Sequence, residues 1–281
     1  MIQLQRTRTA NLLSGFTGAA LEAKLEKLLG YYYYDGGGAV DFKPKARQVW
    51  PKAKGQLKLE TSNKCAYCEA DTAAVAHGDV EHFRPKSEYW WLAYCYDNYT
   101  FSCQICNQTY KGNQFPIVGE KLPQPKLPAS LPTDQAKLAK IITSLCPDPA
   151  KATDAAVKKL LSAEDANLPN PYLVDPEQLF AWKVEPDTEE VWIVAKGSSA
   201  RAKRAVKAVE SVLGLNRTEL LRLRWNHYDE LETLALALQE GNFTDAKKQR
   251  ILDKLKLHAG KDRPFAAMKR FYLKSWGLLA A

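Results

Sequence analysis

Nowhere in the 281 residues is there an uninterrupted apolar stretch of about 18, the length a helix needs to cross a bilayer. The first residues also lack the apolar block of a signal peptide. The chain is therefore expected to be soluble and cytoplasmic, with no membrane partner. It has no GxxxxGK[ST] loop, so any dependence on ATP has to come from another subunit. No internal repeat or low-complexity tract is evident. In a reducing cytosol the six cysteines are not expected to form structural disulfides. Four of them stand instead as two CxxC pairs, Cys65/Cys68 and Cys103/Cys106, while Cys95 and Cys146 read as ordinary buried or half-buried residues.

What is present suffices for a real core: 46% of the residues are hydrophobic. That fits one domain with a small metal module inserted, or two domains sharing an interface. The formal charge of +8 favours a polyanionic partner. Leu21, Leu25, Leu28 and Leu29 recur at helical spacing up to Gly30, where the helix is expected to end. Tyr31 to Tyr34 suit packing against a neighbour more than a stacking surface for bases. A second helical segment carries Lys43, Lys45, Arg47, Lys52, Lys54 and Lys58, as a solvated face or as phosphate contacts. Past a proline-rich connector at 122–132, short helices are expected near 135–145 and 153–162, and a hairpin from Phe180 to Val194. Three or four amphipathic helices follow from Ser198, broken at Gly214 and Gly241. The expected regions are 1–62 (basic, helical), 63–116 (metal module), 117–197 (linker or insertion, then hairpin) and 198–281 (helical). The fold class is α+β and α-rich, with one hairpin beyond the metal module.

A CxxC turn presents two sulfurs from one tight loop, and two such turns complete a tetrahedral zinc shell with no open position, so the zinc is structural. The 34 residues between Cys68 and Cys103 contain Asp79-Val-Glu-His-Phe-Arg-Pro, whose alternation suits a strand. They also hold Trp90-Trp-Leu-Ala-Tyr, an aromatic cluster expected to pack under the cysteine knot. After Cys106 the chain runs on as Asn107-Gln-Thr-Tyr-Lys111, which suits the start of a helix. A hairpin and a helix clamped by zinc make a ββα-metal arrangement.

Glu81-His-Phe-Arg-Pro-Lys86, Trp91-Leu-Ala-Tyr94, Asn98, the second CxxC with Asn107, Lys111-Gly-Asn113 and Phe115-Pro116 stand in an order that resembles HNH endonucleases. The likeness is to the PtuB-like HNH nucleases of Septu-type anti-phage defence and retron-associated systems. Weaker similarity continues at Asn170-Pro-Tyr-Leu-Val-Asp175-Pro and Val212-Leu-Gly-Leu-Asn216-Arg217. The resemblance implies a metal-dependent endonuclease that hydrolyses phosphodiester bonds, with DNA as the expected substrate, acting in a defence complex with an ATPase. It makes His82 the general base, Asn98 the residue that holds the base's loop, Glu81 the acidic metal ligand and Asn107 a ligand where many members have a second histidine. The catalytic ion would be Mg²⁺ or Mn²⁺.

The chemistry fits the residue types: a neutral imidazole can take a proton from water, and hard cations prefer oxygen ligands. Strand alternation leaves Asp79 as a competing acidic ligand on the face of Glu81. Asn98 and Asn107 could instead cap turns. Arg84, Lys86 and Lys111 are candidates for nucleic-acid contact, or are merely solvated. His77, His227 and His258 lie outside the motif and read as structural. The competing function is a catalytically silent zinc module that binds nucleic acid or a protein. Ser198 to Trp276 likewise either docks the ATPase partner or packs as core.

Overall fold

The computed structural model describes residues 1–72 and 77–280; residues 73–76, inside the expected 63–116 module, and residue 281 lie outside the described residues. Helices dominate, with two small antiparallel sheets between them. The leucine stripe read from the sequence is the buried face of α1 (Gly18–Tyr34). This helix does not end at Gly30 but runs through it to Tyr34. A glycine inside a helix costs about 1 kcal/mol relative to alanine. Beyond it Tyr32 stacks on Trp90, ring centroids 4.2 Å apart and planes at 17°, and such a pair contributes a comparable amount beyond its area.

The basic segment is not one helix. Pro44 and Pro51 break it into short 3-10 turns, Lys45–Arg47 and Trp50–Ala53, before α2 (Lys54–Glu60). Next comes the first sheet: β1 (Asp79–His82) pairs antiparallel with β2 (Tyr99–Ser102), Asp79 opposite Ser102 and His82 opposite Tyr99. A wide π-type helix, Ile105–Lys111, follows directly, its last turn closed by the Gly112 amide on the Asn107 carbonyl at 2.7 Å. Two short strands and then a π-type helix thus follow one another in chain order.

The aromatic cluster in the connection between β1 and β2 is not under the cysteines. Trp90, Trp91, Leu92 and Tyr94 fill an apolar cluster with α1 and with Leu138, Ile142 and Leu145 of α3 (Gln135–Leu145). Two helices with apolar stripes meet there and need a large filler between them. The four cysteines belong to a different cluster, built mainly from the C-terminal half of the chain together with Met1, Ile2 and Leu4.

That half begins, after α4 (Asp154–Leu161), with the second hairpin, β3 (Phe180–Glu185) and β4 (Glu190–Ala195), whose Phe180, Trp182, Val191 and Ile193 face inward. The helices α5 (Ala200–Ser211), α6 (Thr218–Glu240), α7 (Asp245–His258) and α8 (Ala266–Ser275) complete the chain. Leu220, Leu231, Leu255, Phe265, Met268 and Leu273 from this segment are buried in the same cluster as the cysteines. Their apolar stripes are used in an intramolecular core. Gly214, in the break between α5 and α6, has φ +58°, and a Cβ there would sit 2.3 Å from the ring of Tyr110 on the π-type helix. Both the backbone and the close approach require glycine. Among the described residues no helix is long and apolar enough to cross a membrane.

Candidate active site and metal centre

Cys65, Cys68, Cys103 and Cys106 are all buried, and their sulfurs lie within 4.8 Å of one another. The Cys68 and Cys103 Sγ atoms are 4.0 Å apart. A tetrahedral zinc with bonds of about 2.3 Å sets its sulfurs about 3.8 Å apart, so the donor set fits. The first knuckle is closed by the Cys65 amide on the Ala70 carbonyl and tied to β2 by the Ala66 amide on the Phe101 carbonyl. Zinc with four thiolates carries net negative charge. The Cys106 amide donates to Cys103 Sγ at 3.4 Å, and Arg217 brings Nη1 to 3.8 Å from Cys106 Sγ.

His82 ends β1, and its imidazole sits between Trp50 and Tyr99, centroids 4.9 and 5.0 Å away and ring planes at 81° and 84°. Its Nε2 lies 3.0 Å from the Ala93 carbonyl oxygen. A carbonyl only accepts, so Nε2 carries the proton and Nδ1 keeps its lone pair. Among the described residues Nδ1 has no hydrogen-bond partner. Burial, then the positive charge of Lys86, pushes the pKa down to about 3, with Lys111 adding to the effect. The ring is neutral at pH 7.

Strand alternation puts Asp79 and Glu81 on one face, about 6.6 Å apart along β1. Asn107 and Lys111 of the π-type helix meet one each. Asp79 Oδ2 accepts from Asn107 Nδ2 at 3.1 Å and from Gln108 Nε2 at 2.8 Å. Glu81 Oε1 is 2.5 Å from the Nζ of Lys111, which also donates to the His82 carbonyl at 3.1 Å. Burial pushes the Glu81 carboxyl up, and Lys111 pulls it back. Asp79, Glu81, His82, Asn107, Lys86 and Trp50 line one pocket of 390 Å³. A larger cavity of 720 Å³, along residues 2–7, contains none of them.

Asn98 stands behind the pocket. Its Oδ1 accepts from the Arg84 amide at 2.9 Å and its Nδ2 donates to the Arg84 carbonyl at 3.0 Å, pinning the backbone two residues past His82. Arg84 itself corrects the sequence expectation: it is 1% exposed, with Nε 2.5 Å from Glu164 Oε2 and Nη2 on the Leu161 carbonyl. It holds the insertion in place and offers no face to a ligand. Lys111 is wholly buried against Glu81, so it too is no surface contact. Lys86 alone of the three faces the pocket, its Nζ 5.3 Å from the Trp50 ring centroid. Sequence reasoning missed Trp50 and Gln108 as pocket residues, whereas Lys54 stood in the basic run read as a solvated face or as phosphate contacts. The one available signal was an aromatic residue inside the basic run 43–58.

Fold and site together define an α-rich chain in which a four-cysteine cluster, able to hold zinc, braces a pocket built around a neutral histidine. No protein-family model matches the chain. Aligned over 80 residues it is 38% identical to the Septu protein PtuB of Bacillus mycoides (strain KBAB4), a match that covers 24% of this chain and 27% of that protein. The chain thus spans about a quarter of the length of the curated relative it matches. The resemblance to PtuB-like Septu proteins read from the motifs is borne out by this similarity.

Proposed function

We propose that the chain is a metal-dependent HNH endonuclease that hydrolyses phosphodiester bonds of nucleic acid, DNA foremost, as the nuclease of a cytoplasmic Septu-type anti-phage complex with an ATPase. The observation that carries this reading is the His82 imidazole, fixed at Nε2 by the Ala93 carbonyl and, among the described residues, without a hydrogen-bond partner at Nδ1, beside Asp79, Glu81 and Asn107. A binding module has no need of a free base beside oxygen donors.

His82 Nδ1 takes the proton from the attacking water. The Nε2–H bond to Ala93 fixes the tautomer, and the rings of Trp50 and Tyr99 fix the ring plane. Burial first, and then the charge of Lys86, depress the imidazole's basicity, and a phosphate brought against Lys86 offsets the second of these and raises the pKa from about 3. Asn98 keeps the following loop from shifting the base. The oxygen donors of Asp79, Glu81 and Asn107 are of the type a hard divalent ion such as Mg²⁺ or Mn²⁺ takes, with Glu81 paired to Lys111. Held there, that ion would supply charge neutralisation for the departing oxygen. The four cysteines hold zinc for structure alone.

The test uses purified protein on plasmid, linear and single-stranded substrates, with and without chelator, alone and with the partner ATPase. His82→Ala is expected to abolish cleavage while zinc content and melting temperature stay within error of wild type. Cutting by His82→Ala at the wild-type rate would falsify the assignment of the base.

A further inference from the structure

Lys86 is the unexplained cation of the pocket. It is half-buried, its ammonium lies over Trp50, and among the described residues it has no hydrogen bond and no ion pair. Glu81 acts on it electrostatically without a direct ion pair, and an anion entering the pocket would offset the remaining cost of a partly desolvated charge. The pocket does not stop at Lys86. A second cavity of 500 Å³ adjoins it and shares Trp50, Lys86 and Asn113 in its walls, adding Lys43 and Gln48. Lys54 stands on the His82 side of the shared wall. The acidic residue of the second cavity is Asp41, whose Oδ1 already accepts from the Lys43 amide at 2.9 Å. Three lysines thus follow one continuous depression that begins at the catalytic base.

We infer that this depression is the path of the substrate backbone: Lys54 and Lys86 hold phosphates beside His82, and Lys43 holds one further along, past the Trp50 wall. The inference rests on the nuclease reading and extends it, because it assigns to one side of the cleavage site a run of phosphate contacts. The occupant is a polynucleotide, since the cations are spread over two cavities and a single nucleotide phosphate would reach only one. Trp50 stands nearly perpendicular to the His82 ring and has a face toward Lys86, and it lies in the wall of both cavities.

The test measures binding in zinc-loaded His82→Ala protein, which leaves the substrate uncut, by fluorescence anisotropy of short labelled single- and double-stranded DNA over a salt series. Replacing Lys43, Lys54 or Lys86 by Gln is expected to lower the slope of log affinity against log salt by about one each, and the triple variant by about three. Lys86→Arg keeps the charge and the slope. Lys158→Gln, at the rim of the 720 Å³ cavity, leaves both unchanged. A triple variant of normal melting temperature with wild-type affinity and slope overturns the path, and the nuclease reading stands if His82→Ala still removes cutting. Wild-type protein that neither binds nor cuts any of the substrates overturns both.

Discussion

His82 is held where an imidazole has least use for a proton. It is 6% exposed, flanked by two aromatic rings and faced by Lys86, and its Nε2–H is already satisfied. In the unfolded chain the same ring titrates near its ordinary 6.5, and in the folded chain near 3. Between those values the unfolded state binds a proton that the folded state does not, so stability present at pH 7 is lost as the pH falls from 6.5 toward 3. By pH 5 the loss is on the order of 2 kcal/mol. His227, pushed down to about 4 by burial first, adds to the acid sensitivity in the wild type and in any His82 variant alike. The unfolding free energy from urea titration is therefore expected to fall less between pH 7 and pH 5 in His82→Gln than in wild type, by about that amount, and parallel declines would mean that the ring is not buried neutral. The motif position of His82 was legible in the sequence. Its partner Ala93, which fixes the tautomer, was not, because nothing in a sequence marks which backbone carbonyl a side chain will reach.

Among the elements, those with local signals came through. The hairpin of β3 and β4 shows in alternation, and α3 and α4 show in their caps, where Asp134 accepts from the Lys137 amide and Thr153 from the Ala156 amide. The connection from Phe83 to Asn98 did not come through, because its fixings are distant in the chain. Arg84 was read as a phosphate contact for its place beside the base, yet its partner Glu164 lies 80 residues on. Glu164 also accepts from Tyr89 Oη at 2.6 Å and from the Leu122 amide at 2.9 Å, so one buried carboxylate ties the insertion to the loop behind the site. Removing it strands a guanidinium with no counter-charge, which costs about 3–5 kcal/mol. Glu164→Leu is expected to lose that much in urea unfolding, and the pair Arg84→Met with Glu164→Leu to recover most of it. A double variant no more stable than the single would show that Tyr89 and Leu122 carry the tie instead.

At the scale of the whole molecule, the cysteine cluster is the junction between the pocket and the C-terminal helices. The sequence allowed two readings of Ser198 to Trp276, a docking surface for an ATPase or a core, because an apolar stripe looks the same in either case. The structure shows what covers the stripe. Phe265, Met268 and Leu273 are buried with the cysteines, and the Phe265 and Ala267 amides donate to the carbonyl and side chain of Glu69, the residue after Cys68. Burying three such side chains contributes roughly 5–9 kcal/mol, comparable with the about 5–15 kcal/mol that holds an ordinary domain folded. Deleting residues 265–281 therefore uncovers the first cysteine knuckle, and the expected result is a collapsed melting transition together with loss of the zinc that the cluster is proposed to hold. Loss of the proposed cleavage and of co-purification with the proposed ATPase would then follow from unfolding. The opposite result, an unchanged melting transition and full zinc with only the partner lost, would return α8 to the role of a docking element and move the core that supports the knuckle onto α5, α6 and the second hairpin.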